Sequence, residues 1–95
     1  MKSHRVKLDA NHHAIVSALE QIGVGVLDTS GAAGGFCDIV TAQRGIWRMI
    51  EIKNPDGLNK LTLAQVRAHE LARVHGCKIH IVRSVEEALA LHGAR

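Results

Sequence analysis

Apolar residues recur at Ile15, Ala18, Leu19 and Ile22, the i, i+3, i+4, i+7 spacing of one buried helical face. The spacing predicts a first helix from a cap at Asp9 or Asn11 to about Ile22, stopped by Gly23. Glu20 and Gln21 fall off the stripe and are expected to be solvated. Val24 to Asp28 reads as a short strand with Gly25 inside it. Thr29 to Gly35 is a loop with glycines at 31, 34 and 35. It lacks phosphate-loop spacing and no helix follows, so a simple turn is the preferred reading over a backbone that approaches substrate. Asp38 to Ala42 and Ile46 to Lys53 read as two strands. Trp47, Met49, Glu51 and Lys53 share one face of the second strand; Ile46, Ile50 and Ile52 share the other. A strand apolar on both sides is expected at the centre of a sheet, covered by helices on both faces. Asn54 to Leu61, with Pro55 and Asp56-Gly57, is a loop. Thr62 is a good cap for a second helix ending near Val74, with Ala64, Ala68, Leu71 and Ala72 as its packing stripe. Gly76 follows, then a strand from Lys78 to Val82. Ser84-Val85-Glu86-Glu87 is a capping box for a last helix, Val85 to about Leu91. The predicted string is α-β-β-β-α-β-α, without repeats or linkers.

The hairpin in the middle carries the candidate chemistry. If Arg44-Gly45 is a two-residue turn, Ala42 faces Trp47 and Asp38 faces Glu51. Directly opposed residues share a face, with Cβ atoms roughly 5 Å apart. Lys53 joins Glu51 on that face by alternation. Two opposed carboxylates repel unless a cation or a proton lies between them. A divalent metal is the simplest cation that also accounts for the neighbouring lysine. A one-residue slip would break this geometry, so the reading depends on the register. Replacing Lys53 by Ala is expected to remove chemistry while changing stability little.

The chain has 95 residues, read as a single domain spanning 1–95, and 46% of them are hydrophobic, which suits a folded protein. Phe36 and Trp47 are the only aromatics, and Trp47 is read as core, so a row of stacking platforms for bases is excluded. No apolar run is long enough to span a membrane and no secretory signal is seen, so a cytosolic protein is expected. Cys37 and Cys77 are then expected as buried reduced thiols. The formal net charge of +3 suits a phosphate-bearing partner without establishing one. Met1 to Leu8 is a basic arm, either frayed or touching a phosphate backbone. His12 and His13 are adjacent and cannot share one helical face. Asn11, His12 and His13 are either a polar first turn, or one of them reaches the acidic cluster. His69, His75, His80 and His92 are read as surface residues.

The pattern Asp38 … Glu51-Ile52-Lys53 within an α-β-β-β-α-β string resembles the PD-(D/E)xK nuclease superfamily, in particular its small stand-alone VRR-NUC and Holliday-junction-resolvase-like members. Gly35-Phe36-Cys37-Asp38 stands where that family often has Gly and Pro before its Asp. Leu61-Thr62-Leu63-Ala64-Gln65 is similar to the helix opening that VRR-NUC domains carry after the ExK strand. The resemblance implies an α/β (α+β), restriction-endonuclease-like αβββαβ(α) core with a mixed four-stranded sheet flanked by helices. It also implies that Asp38, Glu51 and the Ile52 carbonyl hold Mg2+ or Mn2+. Asp38, Glu51, Lys53 and Gln65 would form the catalytic set. Cys37 departs from the family's common Pro, and Asn11 or His12 from its frequent first-helix Glu. The implied partner is duplex or branched DNA, with Arg44, Arg67, Arg73 and His12 as phosphate contacts. A homodimer in a bacterial cytoplasm, phage-encoded or not, is the implied setting. The leading expectation is therefore a metal-dependent DNA endonuclease. A nucleic-acid-binding module that does not cut, or a protein-interaction subunit, are the alternatives; neither needs two carboxylates beside a polyanion.

Overall fold

The computed structural model of the protein describes residues 10–54 and 61–94. The expected arm over Met1 to Leu8, a cap at Asp9 and the turn at Pro55-Asp56-Gly57 lie outside the described residues. The elements are α1 (Ala10–Gln21), β1 (Gly25–Asp28), β2 (Ile39–Gln43), β3 (Ile46–Ile52), α2 (Leu63–Val74), β4 (Ile79–Val82) and α3 (Val85–Leu91). The sheet runs β1-β2-β3-β4, antiparallel over the first two pairs and parallel between β3 and β4. It is the mixed four-stranded sheet expected. A parallel β3–β4 pair needs a crossover, and α2 provides it.

The core lies on one face of the sheet, where α1 and α3 pack. Ile15 and Leu19 from α1 meet Val24, Ile39, Ile50, Val82 and Ala88 there. α1 presents His12, Ile15 and Leu19 inward. Ile22, expected in that stripe, is exposed. The helix ends one residue earlier, where the Gly23 and Val24 N–H groups bond back to the Glu20 and Leu19 carbonyls. α3 begins as expected, with Ser84 Oγ accepting from the Glu87 N–H. Glu87 bonds the Arg83 N–H at 2.6 Å, one residue before the cap.

The opposite face is less complete. α2 contributes no buried residue, and Leu71, placed in its packing stripe, is 64% exposed. Through Gln65 the helix meets Glu51 and Lys53 at the end of β3. β3 is central as expected, but its first half is uncovered: Ile46 is exposed and Trp47, expected in the core, is 69% exposed. Cys37 is buried and Cys77 is exposed; both are free thiols. His92, expected at the surface, is buried, with Nε2 2.8 Å from Thr41 Oγ1 and Nδ1 2.8 Å from the Ala88 carbonyl. Periodicity alone does not show that a helix-end histidine has two partners waiting inside. Among the described residues, no helix is long and apolar enough to cross a membrane.

Candidate active site

The turn at Arg44-Gly45 sets the register of everything that follows. Both residues have positive φ, 52° and 78°, the requirement of a type I′ hairpin turn. Ala42 then pairs with Trp47 and Ile39 with Ile50. One step further, Asp38 stands opposite Glu51, just beyond the end of β2. Its N–H donates to the Ile50 carbonyl at 3.0 Å, and its Oδ2 accepts from the Ile52 N–H at 2.8 Å. From the other side, the Thr29 N–H donates to the Asp38 carbonyl, and Thr29 Oγ1 to the Cys37 carbonyl at 2.8 Å. Ile39 and Ile50 face the core, so alternation turns Asp38, Glu51 and Lys53 toward α2.

Glu51 is 2% exposed. Its Oε2 accepts from Gln65 Nε2 at 2.7 Å and lies 3.6 Å from Lys53 Nζ. Its Oε1 is buried and has no hydrogen-bond partner among the described residues. Burial first, and then the Asp38 charge and hydrogen bond, push its pKa up to about 7, against the pull of Lys53.

Gln65 is fixed by the helix it opens. Thr62 Oγ1 accepts from the Gln65 N–H, while Gln65 Oε1 accepts from the Thr62 N–H at 2.9 Å, a complete capping box. The same Oε1 accepts from Lys53 Nζ at 3.1 Å. One side-chain amide thus serves the cap and ties Glu51 and Lys53 to α2. The approach of α2 depends on Gly35, whose φ is +77°. A Cβ there would lie 2.5 Å from the Ala64 carbonyl carbon and oxygen. The glycine loop is therefore more than the simple turn expected. Its backbone lies against the first turn of α2, and Phe36, Cys37 and Asp38 follow directly.

Asn11, on the first helix, does not reach the carboxylates by its side chain. Its Nδ2 donates to the Lys53 carbonyl at 3.0 Å and to the Arg83 carbonyl at 3.3 Å, clamping the backbone at the ends of β3 and β4. His13 is exposed. His12 is buried, with Nε2 3.2 Å from Asp28 Oδ2. A phosphate contact needs an exposed ring, so the structure corrects that placement. Burial raises the Asp28 pKa, but hydrogen bonds from the Ser30 hydroxyl and N–H, then His12, outweigh it and leave the carboxyl below its ordinary value. Burial likewise raises the Cys37 thiol. Arg44 lies at the far end of β3 from Glu51, roughly 20 Å away at strand rise. Arg73 is held by Glu70 at 2.6 and 3.0 Å. Arg67 is exposed and lines a groove with Phe36, Met49 and Leu71. The structure thus unites Asp38, Glu51, Lys53 and Gln65 but does not gather Arg44, Arg73 and His12 around them. Thr29 and Gly35 were not anticipated as site supports, and Asn11, considered as a residue that reaches the acidic cluster, instead holds the backbone beside it. Their signals in the sequence, a cap residue and loop residues, have no tertiary content.

No family model and no curated relative matches the sequence. A solved structure titled "VRR_NUC domain" does match in fold, with a TM-score of 0.62 over 87% of this chain and 96% of that one, at 25% identity. The chain has a VRR-NUC-like fold. The fold the sequence resemblance implied is the fold found, and in this VRR-NUC-like frame the Asp38/Glu51/Lys53/Gln65 cluster occupies the junction of hairpin and crossover helix.

Proposed function

We propose that this VRR-NUC-like domain is a metal-dependent endonuclease that hydrolyses DNA phosphodiester bonds, with branched DNA preferred over plain duplex. The observation that carries the reading is the Glu51 carboxylate. It is buried beside Asp38 with one oxygen unpartnered, an arrangement that destabilises the fold unless something else binds there. The donor set fits a hard divalent cation, Mg2+ or Mn2+, held by Asp38, by Glu51 and by the Ile52 carbonyl. Among the described residues, no three His, Cys, Asp or Glu side chains converge, so the backbone carbonyl and solvent would complete the set. When bound, the cation supplies Lewis acidity toward the scissile phosphate and toward the attacking water.

The chain's own residues supply the rest. Lys53 brings an ammonium to the phosphate, where it offsets charge that grows as the bond breaks. Gln65 holds that ammonium through Oε1 and the Glu51 carboxylate through Nε2, so both keep a fixed orientation. Exposed basic groups, Arg67 first and Arg44 at greater distance, add sequence-independent attraction for the DNA backbone. A homodimer would give two such sites related by a two-fold axis, suited to a junction or to both strands of a duplex.

A non-cutting DNA binder with the same fold is favoured by one feature, the two-carboxylate set without an acidic residue in the first turn of α1. One assay separates the readings. Wild type and Lys53→Ala are incubated with a four-way junction and a duplex, with Mg2+, Mn2+ or EDTA. Cleavage by wild type with metal only, lost in Lys53→Ala while salt-sensitive binding persists, is expected. Binding without cleavage in either metal makes the binder the better reading.

A further inference from the structure

A second charged cluster lies on the α1 and α3 side of the sheet, and register assembles it. Ile50 faces the core, so alternation turns Arg48 to the same side of β3. In the parallel β3–β4 ladder, Ile50 pairs with His80 and Met49 with Ile79. His80 therefore faces that side too, and Lys78, one residue before β4, stands opposite Arg48. Strand and residue spacing put the three Cβ atoms within roughly 5–8 Å of one another. Cations opposed across two strands repel, as the two carboxylates do on the other face. Yet Arg48 is half-buried and held in place. Its Nη1 donates to Gln43 Oε1 at 3.1 Å, and Gln43 Nε2 donates to the His92 carbonyl at 3.0 Å, at the end of α3. One amide thus fixes Arg48 much as Gln65 fixes Lys53. Among the described residues, no ion pair includes Arg48 or Lys78. Lys78 and His80 line a groove between β4 and α3; Glu87, which also lines it, spends one carboxylate oxygen on the Arg83 N–H. Burial first, and then Lys78, Arg48 and His92, hold the His80 pKa below its ordinary value.

Resting on the nuclease reading above, we propose that Arg48, Lys78 and His80 form a second phosphate site, which takes the backbone of a further arm of branched DNA. A phosphate between the cations replaces their repulsion by attraction, and the guanidinium offers it a planar fork of donors. Gln43 uses one of that group's five N–H donors and leaves the others for an anion. The carbonyl end of α3 supplies partial negative charge at most, short of one full anion. Placement decides which part of the DNA is held. Arg48 lies three residues from Glu51, roughly 10 Å along β3, and on the opposite face of the sheet. A duplex seated at Asp38 and Glu51 has the sheet between it and this cluster. A junction has further arms, and one of them can pass on this side. Arg44, exposed at the tip of the same hairpin, adds to the positive field at that end.

The test uses the full chain, a four-way junction and a plain duplex of matched arm length. Arg48→Gln, Lys78→Gln and Lys78→Arg are compared with wild type in three measurements. These are melting temperature, DNA binding across a salt series, and single-turnover cleavage of saturating junction in Mn2+. Each Gln variant is expected to weaken junction binding and to lower the slope of log affinity against log salt by about 1. Duplex binding and its slope stay at wild-type values. The cleavage rate at saturation is unchanged, and Lys78→Arg binds as wild type does. Lys78 is exposed, so Lys78→Gln keeps the test decisive should Arg48→Gln lose stability with its Gln43 contact. Unchanged junction affinity and slope in the Gln variants overturn the site. Equal losses on junction and duplex overturn the second arm. Inorganic phosphate that raises the melting temperature of wild type but not of the Gln variants, with junction binding unchanged, makes this a free-anion site and overturns the DNA assignment. A wild type that cuts nothing but shows the junction-only salt effect removes the nuclease reading and keeps the site.

Discussion

A carboxyl held at 2% exposure beside a second carboxyl weakens the folded chain whenever it is charged. The folded-state pKa of Glu51 is about 7 against an ordinary 4.5, so the fold binds its proton more tightly than the unfolded chain does. Stability from this group is complete below the ordinary value and is lost as pH rises through 7. Linkage sets the size of the loss on the order of 3 kcal/mol. Metal-free protein is therefore expected to melt at lower temperature at pH 8 than at pH 5, relative to a Glu51→Gln variant whose curve is flatter across that range. Two parallel curves from the pair would show that Glu51 is not the group responsible. Added Mn2+ should raise the wild-type melting temperature at pH 8 and leave Glu51→Gln almost unmoved. Lys53 needs a revised expectation. Its side chain is 10% exposed and stands against buried Glu51, so removing it does more than delete a surface charge. Lys53→Ala is expected to cost about 1–3 kcal/mol at pH 8 and less at pH 5, where Glu51 can take a proton. Urea unfolding at the two pH values checks this, and an equal loss at both would argue against the pairing.

α2 is an element held at one end. Its capping box, the Gln65 bridge to β3 and the Gly35 backbone fix the first turn, whereas no residue in the second half of the helix is fully buried. Gly35→Ala is expected to push that first turn off the sheet and cost at least about 2 kcal/mol, since a Cβ at 2.5 Å from backbone cannot be relieved by a rotamer change. Cleavage should fall with it, because Gln65 moves as part of the helix. If Gly35→Ala folds as stably as wild type, the contact is not what seats α2. At the hairpin the sign reverses. Arg44→Asn should stabilise by roughly 0.5–1 kcal/mol, because Asn tolerates φ of 52° better than Arg does. The contrast also shows what the sequence can and cannot disclose. A two-residue turn and a period-two strand leave one register, so Asp38, Glu51 and Lys53 were legible, whereas Gln65 joined them only through the family resemblance. The stripe of Ala64, Ala68, Leu71 and Ala72 reads the same whether a helix meets a full sheet or hangs over its edge. Gly35 and Asn11 act through residues 29 and 42 positions away, which no local pattern encodes.

At the scale of the molecule the two faces of the sheet are unequal, and that inequality argues for a second copy. One face is closed by α1 and α3 over a small aliphatic core. On the other, Leu27 pairs with Val40 and Ala42 with Trp47, so all four point to the same side as Glu51, which Gln65 of α2 meets. Leu27 and Trp47 are exposed there, with Phe36 and Leu71 exposed around the neighbouring groove. Large exposed apolar patches mark interaction surfaces more often than they occur on small monomers without a partner. A two-fold interface uses the same patch on both subunits and needs about 800 Å² from each. The homodimer proposed for this domain is therefore expected to pack on this face, beside the carboxylates Asp38 and Glu51 that it also carries. Wild type should sediment as a dimer at tens of micromolar, with a melting temperature that rises with concentration. Trp47→Arg should give a monomer with a lower melting temperature independent of concentration. In an isolated subunit that substitution touches only an exposed side chain and would be nearly neutral. A wild-type monomer removes the dimer while leaving the active site untouched; a dimeric Trp47→Arg keeps the dimer and moves it to another face.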